Sequence, residues 1–383
     1  MKFLEATAGA DRFSLLATGF ISFILIGATQ AIYGPAFPAF QARFSLSPAT
    51  VGLLVSFHFI GSFAAILASG VLISRFGYKS VLTTASFILC AATAALALSP
   101  SWMLALMFAL CIGLGFGLFD AGMNMLFTRV FKPNSAPALN LLNAMFGLGA
   151  VLGPLLIALF LPNVLYPFLI LAGLSLVVFG FCQTLPNVDS EPQVTRQVQI
   201  PWFRFLGFVA IYLLYVASEV GAASWEATHL GPYYGEQKAA LFTSFYWAAL
   251  TLGRFVASPI SAILRPATLV LVSVGLAFVA ALFAHDVRLA PYAYAAIGFA
   301  FAPIFPTGLA WLQQVFPQRV EQLIPLIMGA ANLGAVVSSP AIGWIISRQS
   351  SDVVPTVIAV TASLLFTISL LMWLGTRSLV KKR

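Results

Sequence analysis

Charge is scarce in this 383-residue sequence. Only 8% of its residues are Asp, Glu, Lys or Arg, where soluble domains carry about a quarter. With 61% hydrophobic residues and a mean hydropathy of +0.99, no water-soluble fold has polar surface enough to cover the chain. Cysteine is almost missing. Cys90, Cys111 and Cys182 each lie inside an apolar run, which excludes a disulfide framework and any metal-ligand spacing. The three histidines, His58, His229 and His285, form no H-E-x-x-H pattern. There is no G-x-S-x-G turn and no G-x-x-x-x-G-K-[ST] phosphate loop. Hydrolase, metalloenzyme and direct ATP-driven chemistry therefore lack their residues, and neither enzymatic activity nor a cofactor is expected. Long polar segments are missing too, which leaves no room for the output domain of a sensor.

What the sequence does have is continuous apolar runs of ~20 residues, the length needed to cross ~30 Å of hydrocarbon as a helix. Barrel strands would alternate apolar and polar residues instead. In lipid the backbone must satisfy its own hydrogen bonds, so the expected fold class is all-α integral membrane. Breaks at polar or Pro-containing positions predict twelve spans, at 13–36, 48–74, 79–98, 101–128, 136–160, 164–185, 202–229, 238–264, 266–284, 289–313, 322–346 and 353–377. The first run is too long for a signal-peptide core and follows Glu5 and Asp11, so it is expected to be retained. The one long polar stretch, 186–200, reads as a cytoplasmic linker between an N-terminal six-helix bundle (1–185) and a C-terminal one (201–383).

Basic residues give the orientation. With the N-terminus in the cytoplasm, fourteen of the 19 fall inside: Lys2, Arg12, Arg75, Lys79, Arg129, Lys132, Arg196, Arg204, Arg265, Arg319, Arg377, Lys381, Lys382 and Arg383. Four fall outside, namely Arg43, Lys238, Arg288 and Arg348, and Arg254 lies within span eight. This bias predicts an inner-membrane protein with both termini cytoplasmic. It also accounts for the net charge of +8 without a nucleic-acid partner. The halves resemble each other: Leu148-Gly149-Ala150-Val151 before Pro154 returns as Leu333-Gly334-Ala335-Val336 before Pro340, 185 residues on. Ile112-Gly113 and Ile297-Gly298 keep that offset, as do Val130-Phe131 and Val315-Phe316, while Ser56-Phe57 and Ser244-Phe245 stand 188 apart. Internal repeats of this kind mark secondary transporters.

The loop after span two reads Gly70-Val71-Leu72-Ile73-Ser74-Arg75-Phe76-Gly77-Tyr78-Lys79. It resembles the signature loop of the major facilitator superfamily, G-x-L-x-D-R-x-G-R-K, through Gly70, Leu72, Arg75, Gly77 and Lys79. Ser74 stands where the family usually has Asp, so the family's cytoplasmic charge relay does not carry over intact. Span five, with Gly147, Gly149, Ala150, Gly153 and Pro154, is similar to the family's Gly/Pro helix motif. The resemblance implies the major facilitator fold, twelve helices in two pseudo-symmetric six-helix bundles. A narrower similarity is to the fucose/proton symporter and other sugar-permease-like members. Its carriers are Tyr215-Val216-Ala217-Ser218-Glu219 with Trp225, the Asp120 and Asn124 pair, and Ala302-Pro303-Ile304-Phe305-Pro306. That group's substrates are mostly monosaccharides moved together with a proton. Span one departs from the fucose symporter, which has an acidic residue where this chain has Gln30.

Intramembrane ionisable residues are costly and therefore candidates for function. Asp120 lies deep in span four with Asn124 on the same helix face. A carboxyl group in a dry site can take up and release a proton, or serve as interhelical glue. Glu219 closes a polar stripe with Tyr212 and Tyr215 and could carry the proton or accept hydrogen bonds from sugar hydroxyls. Glu226, one heptad on, reads as a solvated rim residue near His229. Arg254 could pair with Asp120 or Glu219 and act in gating, or snorkel toward the surface. Trp225, Tyr246, Trp247 and Trp311 offer stacking faces for a sugar ring, or packing. Gln30, Asn140, Asn143 and Asn332 complete the candidate substrate site. His58 could relay protons or simply pack. Pro303 and Pro306 weaken span ten as a hinge would.

These residues predict a monomeric secondary transporter of a small polar solute, most simply a monosaccharide, coupled to protons through Asp120 or Glu219 and working by alternating access. The competing expectation is a proton-coupled drug or metabolite efflux antiporter, which shares the architecture and would suit a chain with 35 Phe.

Overall fold

A computed structural model describes residues 10–131, 135–186, 188, 202–317 and 319–380. Apart from Pro186 and Val188, the expected linker lies outside the described residues, as do Lys2, Lys132, Arg196 and the last three basic residues. Among the described residues there is helix and no strand. The first helices are α1 (Ala10–Ala31), α2 (Tyr33–Phe44), α3 (Pro48–Val51), α4 (Leu53–Leu98), α5 (Trp102–Val130), α6 (Ser135–Phe160) and α7 (Leu165–Cys182). They are followed by α8 (Trp202–Tyr234), α9 (Glu236–Ile263), α10 (Pro266–Phe283), α11 (Ala290–Phe301), α12 (Ile304–Val315), α13 (Val320–Arg348) and α14 (Val354–Val380).

Eleven helical segments among the described residues are long and apolar enough to cross a membrane. One of them, Pro48–Leu98, is 51 residues, or roughly 75 Å at 1.5 Å per residue, more than twice the hydrocarbon thickness. It is interrupted at Gly77, whose φ of 77° and ψ of 160° are not helical. Only glycine takes that conformation without strain. The signature loop thus sits at a turn between two membrane-length segments, and the arrangement is consistent with the twelve expected spans. Gly77 is the residue the turn requires; Arg75 is exposed beside it, with its guanidinium 5.3 Å from the Phe76 ring centroid. The expected break in span ten is present as well: α11 ends at Phe301 and α12 begins at Ile304, either side of Ala302-Pro303.

The chain forms two compact units. One comprises Met1–Ile32, Phe57–Leu156 and Pro162–Val194; the other Tyr33–Ser56, Ile157–Leu161 and Thr195–Arg383. Within each unit, glycines let helices cross backbone to backbone. In the first, an added Cβ on Gly149 of α6 would lie 2.7 Å from the carbonyl carbon of Ile24 on α1, and Gly113 of α5 meets His58 of α4 at the same 2.7 Å. In the second, Gly334 of α13 meets the carbonyl carbon of Leu213 on α8 at 3.0 Å and Gly298 of α11 that of Tyr246 on α9 at 3.3 Å. Both glycine pairs stand 185 residues apart, and His58 and Tyr246 stand 188 apart. The repeat seen in the sequence is therefore also a repeat of backbone crossings. Such contacts dominate helix association in lipid, where no hydrophobic force draws helices together.

The second unit also holds α2 and α3. Gly34 faces the backbone of Ala223 and Ser224, Gly52 that of Ser339, and Gly343 that of Pro48. Ser56 Oγ donates to the Val336 carbonyl at 2.6 Å. Small residues at each crossing are what allow this approach.

Candidate functional site

Two polar clusters lie within the membrane-spanning helices, one in each unit. In the second unit, Tyr212, Tyr215 and Glu219 share one face of α8 and are buried, as their i, i+3, i+7 spacing predicts. The Tyr215 hydroxyl donates to Glu219 Oε2. The Tyr246 hydroxyl, from α9, donates to the Glu219 backbone carbonyl at 3.0 Å, and Tyr212 donates to the Phe305 carbonyl of α12 at 2.7 Å. Arg254, two turns along α9 from Tyr246, acts electrostatically on Glu219 and on the hydroxyls of Tyr215 and Tyr246. The sequence left Arg254 open between two acidic partners; within this unit it faces Glu219. The cluster thus holds a carboxyl group bonded to a hydroxyl donor, near enough to a cation to feel its charge, with a second hydroxyl fixing the backbone beneath it.

Among the buried polar atoms of this unit that have no hydrogen-bond partner are one of Trp247 and one of Asn332. Trp247 is buried on α9 next to Tyr246, and its indole Nε1 has no partner among the described residues. Asn332 on α13 is buried, donates Nδ2 to the Met328 carbonyl at 2.9 Å, and leaves Oδ1 without a donor. Buried polar atoms are rarely left so.

In the first unit, Asp120 and Asn124 are half-buried on α5. The Asn124 amide donates to Asp120 Oδ1 at 3.1 Å and to the Asp120 carbonyl at 2.8 Å, so the pair forms a local clamp on one helix face. Gln30 is half-buried near the end of α1. Asn140 and Asn143 are exposed on α6, and Asn143 donates to the Leu139 carbonyl at 2.8 Å. His58 is buried, with Phe59 and Phe116 edge-on to its ring at 5.3 and 5.0 Å, a packing environment. The signature-loop residues Gly70, Arg75, Gly77 and Lys79 lie together around the Gly77 turn.

The candidate tryptophans Trp225 and Trp311 are engaged in packing. Trp225 is fully buried, donates Nε1 to the Ser339 carbonyl at 3.0 Å, and has Phe37 4.9 Å from its ring. Trp311 donates to Thr376 Oγ1 at 3.2 Å and packs on Phe208 at 5.1 Å. Glu226 corrects the sequence reading. It is 0% exposed, not a solvated rim residue, because α9 and α11 cover it with Thr243, Tyr246 and Tyr294, while the small residues Ala223 and Ser224 just before it let α2 close on α8. That run of small residues was the available signal.

Comparison with known proteins agrees with this architecture. The sequence profile of the Major Facilitator Superfamily matches residues 19–237, more than half of the chain. The glucose/mannose transporter GlcP of Bacillus subtilis (strain 168) is 23% identical over 354 residues, covering 87% of this chain and 88% of that protein. The sodium-dependent glucose transporter 1 of Homo sapiens is 23% identical over 378 residues, covering 84% and 71%. Among solved structures, the nucleoside transporter NupG superposes with a TM-score of 0.78 at 15% identity over 95% of this chain and 99% of that one. The D-xylose-proton symporter gives 0.77 at 13% identity, over 95% and 98%. Gly77 turning between two membrane-length helices, glycine crossings repeated at one offset and a profile match over most of the chain converge: this protein belongs to the major facilitator superfamily and is a multi-pass membrane transporter of small molecules, not an enzyme.

Proposed function

We propose that this chain is a monosaccharide transporter driven by protons, working by alternating access in the inner membrane with both termini cytoplasmic. The observation that carries the reading is the Glu219 cluster. A carboxyl group held by Tyr215 and faced by Arg254 can exchange a proton as its contact with the cation changes. The indole of Trp247 and the amide oxygen of Asn332 offer one donor and one acceptor to a polyhydroxylated solute. The names of the relatives, a glucose/mannose transporter and sodium-dependent glucose transporters, favour a hexose over a drug. The distribution of basic residues favours the orientation. The reading keeps two homologous bundles, 1–185 and 201–383, joined by 186–200, with Asp120 and Asn124 contributing from the first and the chain acting as a monomer.

The test is uptake of labelled glucose, mannose and xylose into proteoliposomes carrying the purified protein, with an inward proton gradient. Accumulation above empty vesicles that a protonophore abolishes supports the reading. Accumulation that follows a sodium gradient and ignores the protonophore reassigns the coupling ion. No uptake of any sugar, with transport of lipophilic cations or antibiotics out of the vesicles, replaces it with the efflux antiporter.

A further inference from the structure

The mechanism above leaves one buried acidic group of the second unit unused. Glu226 lies on α8 two turns beyond Glu219, fully buried, and neither Oε1 nor Oε2 has a hydrogen-bond partner among the described residues. The groups that act on it are the Thr243 and Tyr246 side chains of α9 and Tyr294 of α11. Thr243 is turned to the Ala239 carbonyl at 3.5 Å. Among the described residues no Lys or Arg acts on Glu226. With only the Thr243 hydroxyl as a nearby donor and no cation, a buried carboxylate is among the costliest groups a membrane protein can hold, whereas the neutral acid is tolerated. In this conformation the group carries a proton.

That proton has a way out. Glu226 and His229 are three residues apart on one helix face, which sets the carboxyl beside the residue His229 bonds. His229 Nδ1 and the Tyr294 hydroxyl are 2.9 Å apart. The His229 ring lies 6.3 Å from that of Tyr233, edge-on, and the Tyr233 hydroxyl donates to Oδ1 of the exposed Asp352 at 2.8 Å. Asp352 and His285 both act electrostatically on His229. In the proposed orientation this end of α8 is the outer face.

We propose that Glu226 is a proton-binding site in its own right, separate from Glu219, that exchanges with the outer surface at Asp352 through Tyr294 and His229. The relay balances. Tyr294 is near enough to feel the Glu226 charge but is not hydrogen-bonded to it in this conformation, so the transfer waits on a side-chain movement that brings the two into contact. Glu226 then passes its proton to the Tyr294 oxygen as the Tyr294 O–H passes its own to His229 Nδ1, and the His229 ring gives up its other N–H proton toward Asp352. The inward direction is the reverse.

The experiment needs no solute, so it succeeds or fails independently of the sugar reading. Infrared spectra of the purified protein in lipid nanodiscs are recorded at neutral pH in water and after transfer to D2O. The expected result is a carboxylic-acid C=O stretch that shifts in D2O, is lost in Glu226→Gln and is kept in Glu219→Gln. A spectrum unchanged by Glu226→Gln overturns the site. Should that variant not fold, Glu226→Asp must move the band, and an unmoved band overturns the site equally. His229→Asn and Tyr294→Phe should keep the band but slow its shift in D2O at least tenfold. Exchange at the wild-type rate in both overturns the route.

Discussion

The crossing of α6 over α1 allows a sharp test of how these helices are held. An added Cβ on Gly149 would sit 2.7 Å from the carbonyl carbon of Ile24 and 2.8 Å from its Cα. Carbon atoms in contact prefer about 3.5–4.0 Å, so Gly149→Ala must push the two backbones apart by about 1 Å. The same interface contains Gly153 against Ala28 and Gly27 against Ala150, and a gap of that size forfeits roughly a quarter to a half of each dispersion contact. Overpacking of this kind costs about 1–3 kcal/mol, and the better helix propensity of alanine returns at most about 1 kcal/mol. From the middle of the overpacking range, about 2 kcal/mol, the net loss is about 1–2 kcal/mol, and at roughly 2–4 °C per kcal/mol for a unit of this size Tm should fall by about 2–8 °C. Intrinsic tryptophan fluorescence of the purified protein during heating measures it. Gly173→Ala and Gly180→Ala are the controls, since nothing lies within 4 Å of a Cβ at either position, and neither should lower Tm. Gly334→Ala should follow Gly149→Ala, with Leu213 and Ala217 atoms at 3.0 and 3.1 Å. If Gly149→Ala melts with the wild type, or Gly173→Ala falls as far, then close backbone packing is not what holds these helices.

Glu219→Gln should abolish sugar accumulation driven by a proton gradient while leaving sugar exchange across proteoliposomes measurable; unchanged accumulation would remove Glu219 from coupling. Gly77→Ala places a Cβ on a residue with φ of 77°, at a cost of about 1–2 kcal/mol, and should lower Tm although the space around it is open. Trp225→Phe strips the Ser339 carbonyl of its donor and should destabilise by about 1–3 kcal/mol, read in the same melting assay; full stability with lost sugar binding would instead make Trp225 part of the solute site.

Residue types alone revealed what depends on the bilayer and the backbone. Run length predicted helix because hydrocarbon thickness fixes the length a span needs, and the break between spans two and three, with its signature-loop resemblance, fell where Gly77 turns the chain. Burial was harder. Glu226 looked solvated because hydropathy reports what a residue is, whereas its environment is set by α9 and α11, which the chain supplies later. Trp225 shows the same limit: an indole on a polar helix serves ligand or packing equally well until Phe37 and Ser339, 188 and 114 positions away, are placed against it. The assignment of Arg254 to Glu219 likewise came from tertiary structure, since both acidic residues fitted the sequence.

The repeat shows where legibility ends. His58 and Tyr246 occupy matching positions, each with its backbone under a glycine of the matching helix. Yet His58 is packed between Phe59 and Phe116, while Tyr246 donates to the Glu219 carbonyl beside Arg254. The spacing of small residues dictates the crossing, because sterics leave no alternative. The side chain beyond the crossing is free to differ. A sequence reading that treats the halves as chemically equivalent would give His58 and Tyr246 the same surroundings, which differ. Coupling chemistry is therefore to be sought first around Glu219, with the Asp120–Asn124 clamp tested as an independent site and not assumed to mirror it.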